Sequence, residues 1–382
     1  MITAHKIALD PTVKQEQYFR RAAGTARFVW NWALEHWDAQ YQQGKKPNGM
    51  KLKKEFNALY STQFPWISKV HRDCHSEPFR NLQKAFTKFF RHEAQYPKFH
   101  KKGQYDSFYV VNDAFKIKEK TVKLPVIGKV RLREQLRFEG KIMGATVSRE
   151  ADRWYLSVKV EVEDYHQERI LDTTVGIDVG LKTFAMLSTG ESVAAPKPLK
   201  RYLKRLKRAQ RALSRCIKGS QNRKKQQRRV ARLHARVHHI RQDFLHKLSS
   251  RICRENQTIV IEDLNVKGMV KNHKLAFAIA DASWSEFKRQ LKYKSLIYQD
   301  DLILANRWMP SSKTCSRCGS VKEDLTLDDR VYICQHCGFE LDRDHNAAIN
   351  LCTLGLRGTH AHGQSNDWLK WELTPCSFVS TI

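Results

Sequence analysis

Acidic residues are scarce in this chain. Its 382 residues hold 69 Lys+Arg against 39 Asp+Glu, a formal net charge of +30. Residues 192–242 contain no Asp or Glu at all. Such an excess repels itself until a polyanion neutralises it, which points to nucleic acid as partner. A basic structural protein would share the charge but would leave the acidic motifs below unexplained. Long apolar runs are also missing, and none approaches the ~20 residues a membrane span needs. The first 11 residues show neither an apolar signal core nor a small-residue cleavage site. The nine cysteines are odd in number and five are scattered singly, so they form no disulfide framework and suit a reducing compartment. The expected location is therefore the cytoplasm, with no membrane partner. Hydrophobic residues make up 41%, enough for a globular chain of two or three domains.

Residues 3–9 alternate like a strand that Asp10-Pro11 breaks. From 12 to about 43 the apolar residues keep helical spacing, with Phe19, Ala22, Ala26, Val29, Trp30, Ala33, Leu34 and Trp37 on one side. Residues 44–49 read as a turn-rich loop. A second helical block covers 79–90, where Phe79, Leu82, Phe86, Phe89 and Phe90 are expected in a core rather than in a base-stacking platform. The basic, aromatic loop Tyr96-Pro-Lys98-Phe99 follows, with Lys98 a candidate nucleic-acid contact. From 107 to about 162 the pattern alternates in short strands split by Gly and Pro, a sheet or barrel expected to stand apart from the helices. An α/β region then begins near 173. The acid-free stretch carries two apolar stripes, Leu199, Leu203, Leu206 and Val230, Leu233, Val237, Ile240, separated by Gly219-Ser220. This predicts a helical hairpin over 197–250 with one packed seam and one basic face. A solvated face normally mixes both signs, and this one does not, so Lys204, Arg208, Arg211, Arg223, Lys224 and Arg228 are expected to touch a polyanion. Beyond 358 the sequence is polar and irregular, and disorder is expected over 359–382.

Three acidic motifs carry the chemistry: Gly176-Ile-Asp-Val-Gly180, Ile259-Val-Ile-Glu-Asp-Leu-Asn265 and Asp342-Arg-Asp-His-Asn-Ala-Ala348. Asp178 lies in an apolar strand, where an unpaired carboxylate is costly unless it meets a cation. Glu262 ends a second apolar strand, the usual place for sites on open α/β sheets. Asp344 opens a helix whose Ala pair permits close packing on a sheet. A strand Asp, a strand-end Glu and a helix Asp make an RNase H-like set that holds two Mg²⁺ ions, or Mn²⁺ in their place, for phosphodiester hydrolysis. Asp263 and Asp342 compete with their neighbours for these roles, and Asp342 is equally suited to capping the helix.

Cys315-x2-Cys318 and Cys334-x2-Cys337 are separated by 15 residues, the spacing of a four-thiolate zinc ribbon. Gly319 and Gly338 follow the pairs, as turning knuckles require. Four thiolates close the coordination shell, so one structural Zn²⁺ is expected. Lys313, Arg317 and Arg330 would let the ribbon touch DNA.

These motifs, with Ala26-Arg-Phe-Val-Trp-Asn31, Tyr96-Pro-Lys-Phe99, Asp243-Phe-Leu-His-Lys-Leu248, Asp281-Ala-Ser-Trp-Ser-Glu-Phe287 and Pro310-Ser-Ser-Lys-Thr-Cys315, resemble the TnpB family over nearly the whole chain. TnpB proteins are transposon-encoded RNA-guided DNA endonucleases related to the type V CRISPR effectors. The resemblance implies a multidomain α+β fold. A wedge-like β-barrel would comprise 1–10 and 104–170, and a helical recognition lobe 11–103. A RuvC-like nuclease domain over 171–307 and 339–358 would be interrupted by a zinc-ribbon target-nucleic-acid-binding insert at 308–338. It implies catalysis by Asp178, Glu262 and Asp344. It also implies one guide RNA transcribed from the transposon end, bound to a monomer, and a double-stranded DNA target beside a short recognised motif. Arg72 and Ser76 fall near the helix that reads that motif in the family, although Asp73-Cys-His75 and Pro78 depart from its pattern. A nuclease-silent RNA-guided regulator would have no need of the intact acidic triad. A guide-free RuvC-type resolvase would need neither the zinc insert nor the basic hairpin, and nothing supplies the joining function of a strict transposase.

Overall fold

The computed structural model describes residues 2–104, 106–163, 172–326 and 328–359; the tail expected to be disordered lies outside them from 360 onward. The chain divides into two units, Met1–Tyr165 and His166–Ile382.

The first unit opens with strand β1 (Ile2–Asp10) and helix α1 (Val13–Gln42). Thr12 starts the helix with a capping box: its hydroxyl accepts from the Gln15 amide while Gln15 Oε1 accepts from the Thr12 amide. Helices α2 (Gly49–Gln63) and α3 (Asp73–Phe90) follow. Then come strands β2 (Ser107–Val111), β3 (Lys116–Lys118), β4 (Thr121–Leu124), β5 (Gly128–Leu132), β6 (Lys141–Glu150) and β7 (Arg153–Glu161). They join β1 in an antiparallel seven-stranded sheet of order β2-β6-β7-β1-β5-β4-β3.

The expectation that strands stand apart from helices is corrected here. Tyr18, Phe19, Ala22 and Ala23, from the first half of α1, are buried in one core with Ile7, Phe108, Trp154 and Leu156 of the sheet. The second half, from Val29 to Trp37, packs instead with Leu52 and Phe56 of α2 and Phe79, Leu82 and Phe86 of α3. One continuous apolar stripe thus serves two cores, each fully buried aromatic contributing about 1.5–3 kcal/mol. Helix α2 was not apparent from the sequence; Asn48 caps it by accepting from the Met50 amide at 2.8 Å. Of the expected aromatic core on α3, Phe90 is 56% exposed, because it lies at the helix end beyond the packed stripe.

The second unit contains β8 (Thr174–Val179), β9 (Thr183–Leu187) and β10 (Ser192–Ala194), then helices α4 (Pro198–Ser214) and α5 (Gln221–Glu255). Strand β11 (Thr258–Glu262), helices α6 (Val266–Met269), α7 (His273–Ala282) and α8 (Trp284–Tyr298), and strand β12 (Asp301–Ala305) follow. A small ribbon with β13 (Val331–Ile333) and β14 (Glu340–Asp342) leads into α9 (Arg343–Thr359). The main sheet has the order β10-β9-β8-β11-β12; β8, β11 and β12 run parallel, β9 pairs antiparallel with β8, and β10 pairs antiparallel with β9. Phe184, Leu245, Ile252, Ile259, Phe287 and Leu291 are among its buried core.

Helices α4 and α5 form the expected hairpin. Leu206, Ala209 and Val237 are buried along the seam. The root is fixed by Asp281, whose carboxylate accepts from the Leu199 and Lys200 amides, both at 3.0 Å, and from Arg241 at 2.9 Å. Two amides at the start of α4 thereby gain an anionic partner, the favoured arrangement at a helix N-terminus. Among the described residues no helix is long and apolar enough to cross a membrane.

Candidate catalytic and metal sites

Strands β8 and β11 pair in parallel with Ile177 opposite Ile261, so Asp178 and Glu262 occupy the next positions on adjacent strands. Both isoleucines are buried, at 0% and 3% exposure. Side chains alternate along a strand, so the two carboxylates share the opposite, half-buried face. Helix α9 crosses β8 closely. A Cβ on Gly176 would lie 2.0 Å from the Ala348 carbonyl oxygen, and one on Gly355 would lie 2.6 Å from Val260 Cγ2. Ala347 and Ala348 are buried at the contact, as their small size led one to expect. That contact sets Asp344, in the first turn of α9, beside the strand carboxylates.

Among the described residues the three carboxylates do not close into a cluster as tight as the cysteine set below, but they act on one another electrostatically. The Asp178 carboxyl is pushed up to about 8, by burial first and then by the negative charges of Glu262 and Asp344. Arg343 works against this shift; its Nη2 lies 3.4 Å from Asp344 Oδ1. The competing acids have other occupations. Asp342 Oδ1 accepts from the amides of Asp344 and His345, both at 3.0 Å, and so caps α9. Asp263 is ion-paired to Lys288, which holds its carboxyl below the ordinary range.

The four cysteines converge as the spacing predicted, with all their sulfurs within 4.8 Å of one another. Cys315 Sγ lies 3.8 Å from Cys337 Sγ and Cys318 Sγ 3.5 Å from Cys334 Sγ. Tetrahedral zinc with Zn–S bonds of about 2.3 Å sets its sulfurs about 3.8 Å apart, so the donor set fits Zn²⁺. Gly319 and Gly338 have φ of +76° and +68° and donate to the Cys315 and Cys334 carbonyls, closing each knuckle. Tyr332 is fully buried beside the sulfurs, its hydroxyl donating to the Lys313 carbonyl.

Three residues that join the ribbon to the five-stranded sheet and α9 were missed in the sequence. Asn346 and Asn350 of α9 are buried and donate from Nδ2 to the Thr314 carbonyl at 2.7 Å each; Asn350 also donates to the Ser311 carbonyl. Asn346 Oδ1 accepts from the Ser316 amide. Ser311, itself 4% exposed, donates to Glu262 Oε1 at 2.6 Å. The available signal was two asparagines four apart on the apolar face of α9. Asp281 was likewise visible only as part of a motif.

The candidate nucleic-acid contacts divide. Lys204, Arg208, Arg211, Lys224 and Arg228 are exposed on the hairpin. Arg223 is not free in this sense: its Nη1 donates to the Leu213 and Cys216 carbonyls, both at 3.1 Å, and closes the hairpin turn. Lys98 and Arg330 are exposed. Arg72 is exposed with its guanidinium 3.7 Å from Asp73 and 3.8 Å from Asp113, and Ser76 is half-buried on α3.

Three family models match the chain: "Probable transposase" over residues 157–273, "Cas12f1-like, TNB domain" over 284–351 and "Helix-turn-helix domain" over 1–46. The last falls on β1 and on α1, which is one continuous helix of 30 residues. A "Putative RNA-guided DNA endonuclease" of Streptomyces pristinaespiralis is 38% identical over 361 residues, 92% of this chain and 89% of its own. "Putative RNA-guided DNA endonuclease InsQ" of Escherichia coli K12 is 32% identical, over 93% of this chain and 92% of its own. Among solved structures, the protein in a Cas12f1–sgRNA–target DNA complex matches with a TM-score of 0.59, covering 88% of this chain and 83% of that one. Identity there is 14%, a likeness of fold alone.

Proposed function

Because the chain belongs to the TnpB family of transposon-encoded proteins, we propose that it is an RNA-guided DNA endonuclease. It binds a guide RNA from the transposon end, recognises a short motif beside its target, and hydrolyses both DNA strands in one RNase H-like site. The observation that carries this reading is the placement of Asp178 and Glu262 at matching positions of two adjacent strands, with α9 packed on β8 so that Asp344 adds its charge to theirs; burial first, and then these two negative charges, push the Asp178 carboxyl up to about 8. A cation relieves that repulsion, and an all-oxygen donor set suits Mg²⁺ or Mn²⁺. When bound, the ion pair supplies an activated water and stabilisation of the leaving 3′ oxygen. Asp178 and Glu262 present their carboxylates side by side from neighbouring strand ends, and Asp344 presents a third from α9. Asp342 and the Gly176–Ala348 contact hold the first turn of α9 in place. The exposed cations of α4 and α5 bind phosphate along the nucleic acid, and the sequence-specific part of recognition falls to base pairing.

The domain assignment belongs to the same proposal. The seven-stranded sheet serves as wedge, α1 to α3 as recognition lobe with Arg72, Ser76 and Lys98 toward the target, and the ribbon, with Arg330, as target-strand contact. One monomer carries one RNA.

The test is to express the protein with its native locus and sequence the RNA that co-purifies. A discrete RNA ending in variable sequence, which then directs Mg²⁺-dependent cutting of a matching plasmid, supports the proposal. Heterogeneous RNA with guide-independent cutting would replace it by a structure-specific nuclease, and a guide complex that binds without cutting by a regulator.

A further inference from the structure

One turn at the stem of the zinc ribbon reaches Glu262 directly. After β12 and residues 306–309, residues 310–314 run into the first knuckle. The Pro310 carbonyl accepts from the Lys313 and Thr314 amides at 3.0 Å each and from the Thr314 hydroxyl at 2.8 Å. Buried Asn350 grips the Ser311 and Thr314 carbonyls from α9, and buried Asn346 grips Thr314 and Ser316. From the ribbon, the Lys322 amide and the Tyr332 hydroxyl donate to the Lys313 carbonyl. The turn is therefore fixed on both sides, and the group it delivers is the Ser311 hydroxyl on Glu262 Oε1 at 2.6 Å.

We infer that Ser311 is a positioning residue for Glu262, and that the folded zinc ribbon holds it there. The inference rests on the proposal that Glu262 is a metal-binding carboxylate. A carboxylate offers two oxygens and only accepts. A buried hydroxyl on Oε1 fixes the carboxylate plane, leaves Oε2 for a cation, and removes the rotamer freedom that ligand binding would otherwise have to freeze. A serine whose only task was to satisfy the local turn could have donated to a turn carbonyl, as Thr314 does to Pro310. Ser311 reaches across to a different strand instead.

The experiment uses the full-length chain and three variants, Ser311→Ala, Ser311→Thr and Ser311→Cys. Mn²⁺ binding is measured by calorimetry, with Asp178→Asn as the blank for sites elsewhere. Cutting by the RNA-loaded protein is measured against Mg²⁺ concentration, and target binding in its absence. Ser311→Ala is expected to weaken the Asp178-dependent Mn²⁺ site by about tenfold, in the range usual for outer-shell partners of metal ligands. It should raise the Mg²⁺ needed for half-maximal cutting and leave target binding unchanged. Ser311→Thr, which keeps the hydroxyl, should recover most of the loss. Cys337→Ser should weaken Mn²⁺ binding when Ser311 is present and add little in Ser311→Ala, since coupled residues are not additive. Mn²⁺ binding by Ser311→Ala equal to that of the parent would overturn the inference while leaving the nuclease reading intact. A parent chain with no Asp178-dependent Mn²⁺ site and no cutting would instead remove the nuclease reading, and the inference with it. If Ser311→Ala loses zinc or melts early, Ser311→Cys carries the same comparison, having similar volume but a weak donor.

Discussion

The Ala348 carbonyl oxygen sits 2.0 Å from the point where a side chain on Gly176 would begin. That pair places α9 on β8, and Asp344 beside Asp178. Gly176→Ala must push the helix outward, because the atom it meets is backbone. We expect a loss of about 1–3 kcal/mol, typical of overpacking, read as a lower thermal midpoint. Cutting should fall further than stability does, since Asp344 moves with the helix.

Asp178→Ala removes one of the three carboxylates proposed to bind metal and touches neither the hairpin nor the ribbon. Cutting should vanish while guide-RNA and target binding persist in gel-shift assays. Loss of RNA binding in this variant would contradict the assignment.

Without divalent ions, Asp178 also makes stability depend on pH. Its folded pKa of about 8 lies above an unfolded value of about 3.9. For a raised pKa the stabilising contribution is complete below the unfolded value and drains away as pH rises through the folded one. Denaturant midpoints of the metal-free protein should therefore fall between about pH 5 and pH 8, and Asp178→Asn should flatten that part of the curve.

Cys334→Ser should release zinc, measured by elemental analysis of the purified protein, and expose Tyr332 to solvent. The Cys334 thiol is already lowered to about 6: burial opposes the shift, and hydrogen bonds from backbone and neighbouring thiols overcome it. Full zinc content in the variant would refute the four-thiolate site.

Changing Lys204, Arg208, Arg211, Lys224 and Arg228 together to Gln should weaken RNA binding and flatten its salt dependence. The log–log slope should shrink by about 0.7–0.9 for each phosphate that the variant no longer neutralises. Arg223→Gln should behave differently. It removes the side-chain donor shared by the Leu213 and Cys216 carbonyls, of which Leu213 keeps the Cys216 amide, so it should lower hairpin stability in hydrogen exchange more than it changes the salt slope.

What could be read from the sequence was what is local. The strand around Asp178, the strand-end Glu262 and the knuckle cysteines each announce themselves within a few residues. The close packing of α9 was readable in part, because the adjacent Ala347-Ala348 pair implies a close neighbour; the contact of Gly176 with Ala348 was not. Ser311 on Glu262 was not readable: they lie 49 positions apart, and a serine carries no periodic signal. The apolar stripe of α1 showed that the helix is buried but not that its two halves enter different cores, because periodicity names a face and not a partner. Arg223 looked like its basic neighbours, and only the turn geometry of the hairpin distinguishes it.

The ribbon follows β12, and its last strand, β14, runs directly into α9. Its departure and its return therefore both lie at the acidic centre, on Ser311 at one end and Asp342 at the other. A module grafted at such a junction can change its length and its far surface without altering the strands. Any slackness in its two attachment points, however, is felt by the carboxylates. Length changes in its outer loops should therefore leave the carboxylates in place, whereas changes at its stem should move them.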